Sequence, residues 1–186
     1  MVSLVELWMP IAASAVAVFG VSSLVHMVLK WHMADCTGLP NEDQVREALR
    51  KGGLAPGSYA LPYCKGMKDM ASPEMLKKFT EGPVGYVVIR PSGAPGMGKY
   101  LGAWFLYCVL VSFFLAYLAA HTVAKGTAYL EVFRVVGTAA FLVYGLSPLL
   151  DAIWKGQRMS ATLKYVVDGL LYALVTAGIF GWLWPR

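Results

Sequence analysis

The chain has 186 residues, 58% of them hydrophobic and only 15% charged, with a mean hydropathy of +0.56. Soluble domains run at roughly 45–50% apolar and about 25% charged, so this composition excludes an ordinary water-facing globule; the surplus apolar surface requires lipid. The net charge of +5 does not mark a nucleic-acid binder, because the polar stretch 31–100 carries nine Lys/Arg against seven Asp/Glu, a balanced solvated surface.

A bilayer core of about 30 Å requires about 20 helical residues. The first qualifying segment is 4–29, regular from Pro10, whose missing N–H suits a first-turn position. Residues 1–10 lack the basic start of a signal peptide and carry Glu6, so this segment is expected to stay as an anchor. There is no cysteine placed for lipidation either. Three further segments follow at about 101–123, 130–153 and 163–184. The third contains Arg134, Gly145 and Pro148. Pro148 removes the bond to the Tyr144 carbonyl and predicts a kink near the helix end. The expected fold is an all-α membrane bundle with a small inserted α+β domain: helix one in 1–30, the insert in 31–100, helices two to four in 101–186.

Within the insert, Asn41 can cap a helix over 42–51, with Gln44 as its capping-box partner and Gly52-Gly53 as the stop. Ser72-Pro73-Glu74 combines a cap, a first-turn proline and an acid at the positive helix end, predicting a helix over 73–79. Residues 84–90 (VGYVVIR) read as a strand from their β-branched and aromatic content, with 58–61 as a pairing candidate. Residues 91–99 (PSGAPGMGK) form a linker.

Lysine and arginine placement sets the expected orientation. Lys30, Arg46, Arg90, Lys99, Lys155 and Arg158 fall on one side. Only Lys125 and Arg186 fall on the other. The insert is therefore expected in the cytoplasm and both termini outside, with Trp8, Trp182 and Trp184 in an outer aromatic belt and Trp31, Trp104 and Trp154 in an inner one.

Gly169, Ala173, Ala177 and Gly181 recur every four residues in helix four, a seam that admits another helix at close range. Packing inside the bundle is one reading; a homodimer or a partner in a membrane complex is the other. Asp168 lies about one turn inside the helix. Lys164 stands four residues earlier and can neutralise it. His26 and Asp151 should reach a similar depth, so His26, Asp151, Lys164 and Asp168 form a candidate intramembrane polar cluster able to bind a cation or relay protons. Local pairing, Asp168 with Lys164 and Asp151 with Lys155, is the plainer alternative. On the other side, Glu6, His121, Glu131 and Arg134 form an outer polar group, in which Arg134 can pair with Glu131 or Glu6.

If helix one continues past the membrane, His32 and Cys36 share a face at i and i+4, and Cys64 offers a third soft ligand. That set suits zinc or copper. Ordinary reduced thiols are the alternative, and no cofactor is required by any motif. Haem between His26 and His121 fails, because antiparallel helices place them a bilayer apart. Gly96-Met97-Gly98-Lys99 lacks the elements of a phosphate loop. No catalytic constellation is legible.

The segments SSLVHMVLKWH and LPNEDQVREALR resemble those of small uncharacterised bacterial inner-membrane proteins. The resemblance covers helix one and the start of the insert, under a third of the chain. It implies a bacterial inner-membrane placement and carries no activity. The expected role is a non-enzymatic accessory or scaffold subunit that docks through its insert; the alternative is a metal-handling or small-ion transport protein.

Overall fold

The computed structural model describes residues 2–186. They divide into two compact units, one combining the chain up to Cys36 with Gly96–Arg186, the other Thr37–Pro95. In the first unit, a single turn at Leu4–Leu7 leads into helix α1 (Trp8–Ser23). Ser3 and Glu6 cap it reciprocally: Glu6 N donates to Ser3 Oγ and Ser3 N to Glu6 Oε2, satisfying two otherwise orphaned amides. Helix α1 then widens into one π-type turn, Leu24–Leu29, and stops at Lys30, whose φ of 53° is left-handed. A tight turn at Trp31–Ala34 follows. A non-glycine residue in that region costs on the order of 1 kcal/mol, so the surrounding structure must hold it there.

The second unit contains α2 (Glu42–Lys51), β1 (Gly57–Leu61), the single turn α3 (Met67–Met70), α4 (Pro73–Glu81) and β2 (Gly85–Ile89). The strands pair antiparallel, Gly57 opposite Ile89 and Leu61 opposite Gly85. Ser72 Oγ caps α4 by accepting from Met75 N at 3.2 Å. This helix runs two residues beyond the expected end and closes at Gly82, φ 62°. The expected capping box on α2 is absent: Asn41 sits at the N-cap position, but its side chain makes no cap bond.

The chain returns to the first unit through α5 (Met97–Thr122), α6 (Tyr129–Tyr144), α7 (Ser147–Lys155) and α8 (Met159–Trp182). The described residues include four helical stretches long and apolar enough to cross a membrane: Leu4–Leu29, Met97–Thr122, Tyr129–Lys155 and Met159–Trp182. The third is divided rather than merely kinked. Gly145 N closes α6 on the Phe141 carbonyl, and Pro148 occupies the first turn of α7, where it has no N–H to offer Tyr144.

Helix α6 packs along α8, and α1 packs against α5 and α8. The core gathers Leu7, Val18, Leu115, Val132, Val136 and Phe180. Along α8, the small residues face α6 within the same chain. A Cβ added at Gly169 would lie 2.4 Å from both the Tyr144 carbonyl oxygen and Gly145 Cα. Ala177 Cβ stands 3.0 Å from where a Gly137 Cβ would be, and a Cβ at Gly181 would meet the Tyr129 ring at 2.7 Å. The tightest crossing is thus Gly169 on Gly145, at the point where Pro148 has ended α6.

Candidate metal centre

Asp168 on α8 is 2% exposed and stands next to that crossing. Two histidines reach it from either side of the break in α1. His26 belongs to the π-type turn and His32 to the turn after Lys30. The left-handed Lys30 reverses the chain, so the His32 ring returns to lie 4.6 Å from the His26 ring and stacks on Tyr165 at 4.5 Å. His32 Nε2 is 2.7 Å from Asp168 Oδ2, and His26 Nε2 is 3.8 Å from the same oxygen. One ligand atom from each of the three residues falls within 4.8 Å of the others.

A second layer fixes the histidines. His32 Nδ1 lies 2.6 Å from Asp35 Oδ2, which leaves Nε2 turned to the centre, the arrangement that orients metal-binding imidazoles. Lys164 Nζ donates to Asp35 Oδ1 and to the Trp31 carbonyl. The Lys164 ammonium, with the His32 contact, holds the Asp35 carboxyl below the usual carboxylate range. Tyr172 OH stands 3.4 Å from His26 Nε2. Among the described residues, Asp168 Oδ1 is buried without a hydrogen-bond partner. Such an oxygen costs about 1–3 kcal/mol, so the bundle is less stable for carrying it.

The structure redistributes the residues singled out from sequence. His26 and Asp168 converge, and His32, grouped above with the cysteines, joins them. Lys164 is not the partner of Asp168; it reaches Asp35 instead, because the turn after Lys30 brings Asp35 over α8. Asp151 pairs with Lys155 on its own helix at 2.7 Å. His32 and Cys36 do not share a helical face, since α1 has already ended. Cys36 is exposed, Cys64 belongs to the other unit, and the cysteines are free. In the group at the opposite end, Glu6 accepts from Lys125 Nζ at 2.7 Å, not from Arg134. His121 Nδ1 donates to the Tyr117 carbonyl, Glu131 lies in the first turn of α6, and among the described residues Arg134 makes no ion pair.

Sequence reasoning passed over Asp35 and Tyr165. A signal existed in α8, where Tyr165, Asp168 and Tyr172 follow at i, i+3 and i+7 on one face. No protein-family model, curated protein or solved structure matches the chain.

Proposed function

We propose that this chain is a multi-pass protein of the bacterial inner membrane that handles a divalent first-row transition metal, zinc or iron(II), bound by His26, His32 and Asp168. The observation that carries the reading is the convergence of two imidazole nitrogens and a buried carboxylate with one oxygen unmet. Two histidines and one carboxylate form a donor set for both ions and leave coordination positions open. Ligand atoms about 2.1 Å from an ion stand roughly 3.4 Å apart in a tetrahedron. His26 Nε2 and Asp168 Oδ2 are already close to that spacing at 3.8 Å, and His32 Nε2 needs to withdraw from its direct contact at 2.7 Å. The ion would take the place of the proton in that contact.

Membrane placement is supported by the four apolar helices, by exposed Leu106, Phe114, Leu142 and Leu170 along them, and by the resemblance noted above. The lysine and arginine asymmetry supports a cytoplasmic Thr37–Pro95 unit and external termini; a reporter fused after Arg186 should behave as periplasmic. The test of the metal reading is zinc titration of the detergent-purified protein. One equivalent per chain should bind, and His26→Ala or His32→Ala should weaken binding by more than about 100-fold, beyond the loss typical of outer-shell changes. Equal affinity in wild type and both variants would refute it.

A second reading, an accessory subunit docking through the Thr37–Pro95 unit, is supported by Tyr63, Val84, Tyr86 and Val88, all more than half exposed there.

A further inference from the structure

Beside the centre, the first unit encloses a crevice of about 560 Å³ whose lining comes from α1 and its π-type turn, α5, α6, α7 and α8. Cavities of roughly 300–1,000 Å³ with apolar walls and a few polar groups are the sites of small organic ligands. Five of the lining residues are Trp or Tyr, and four of them form a closed ring of contacts. Trp104 meets Tyr107 at 5.5 Å, Tyr107 meets Tyr144 at 6.2 Å, Tyr144 meets Tyr172 at 5.7 Å, and Tyr172 meets Trp104 at 6.1 Å. His26 and Asp168 line the same crevice. Two of its lining residues carry unmet polar atoms: among the described residues, neither Asp168 Oδ1 nor the Tyr144 hydroxyl, buried near Cys108, makes a hydrogen bond of ordinary geometry.

These features have a common explanation in a ligand that is polar at one end only. We infer that the crevice binds an amphiphile whose oxygen-bearing head completes the coordination of the metal at His26, His32 and Asp168, and whose hydrocarbon body lies along the aromatic ring. The inference rests on the metal reading. Three protein ligands leave the ion an open position, as in sites where a bound ion meets a small molecule. Walls of Trp104, Tyr107, Tyr144 and Tyr172 offer a water-soluble ligand few polar partners, whereas a hydrocarbon chain can pack along them.

The test uses the full chain in detergent with Co²⁺ as a spectroscopic substitute, and compares octanohydroxamate with acetohydroxamate, which share a head and differ in the tail. Val143→Phe and Leu101→Phe narrow the crevice from α6 and α5. Both residues are partly exposed, so neither change repacks the core, and neither residue is a metal ligand. The micelle favours the longer tail equally in all three proteins, so the affinity ratio of the two hydroxamates is the readout. That ratio should be at least tenfold higher in the wild type than in either variant, with the Co²⁺ bands unchanged before hydroxamate is added. Bands present but equal ratios in all three proteins would overturn the amphiphile inference while leaving the metal reading standing. No Co²⁺ bands in the wild type would overturn both.

Discussion

The two ends of the helical unit handle charge in opposite ways. At the end formed by the start of α1 and the α5–α6 connection, Glu6 meets Lys125 one to one, both largely in contact with solvent, and Glu6 also closes the helix cap. Glu6, Lys125 and His121 each have a partner within a few residues or on one neighbouring loop. At the other end, His26, His32, Asp35, Lys164 and Asp168 are drawn together from three separate elements. The central carboxylate is buried, and among the described residues one of its oxygens is left over. A bundle needs only the first kind of arrangement to stand up. The second costs stability through the left-handed Lys30, the interrupted α1 and the unmet oxygen. Proteins keep such features where a ligand is to be held.

Substitutions can test that contrast. The largest effect is expected at the Gly169–Gly145 crossing. Gly169→Ala would drive a Cβ into the backbone of Tyr144 and Gly145 and should lower stability by on the order of 3 kcal/mol, measured by thermal melting in detergent. Gly181→Ala, at the opposite end, meets mainly the Tyr129 ring, which can turn aside; its cost should stay below about 1 kcal/mol. If both glycines tolerate alanine equally, the two ends are not packed differently. Next in size is Asp35→Asn, which keeps the shape but weakens the hold on His32 Nδ1; zinc affinity should fall about 10–100-fold while the melting curve moves little. The smallest effect is Glu6→Gln. It should leave zinc affinity unchanged, and a measurable fall would show that the ends are coupled.

Much of the architecture could be read directly from the sequence because length and hydropathy are local properties. The four apolar stretches, the strand at β2 and the Ser72 cap all follow from residues within a few positions of one another. Asp168 was conspicuous for the same reason, as a lone carboxylate in an apolar helix. What could not be read was the reversal after α1. Nothing in the periodicity of SSLVHMVLKWH announces a π-type turn followed by a left-handed lysine, and a continuing helix assigns His32 to Cys36 instead of His26. With that turn misplaced, Asp35 went unremarked and Lys164 was matched to the nearer Asp168. The division at Pro148 was visible in part, but that Gly145 opens a path for Gly169 depends on two helices meeting, which spacing along one of them does not reveal.

The hydrogen bond between His32 and Asp168 joins residues 136 apart in the chain. During synthesis, both histidines leave the ribosome long before the carboxylate exists. The centre therefore cannot close until α8 has been made and has found its place against α1 and α6, so a shortened chain carries the two imidazoles but not the finished site. On the metal reading proposed above, loading would report that α8 has been made and has packed against α1 and α6.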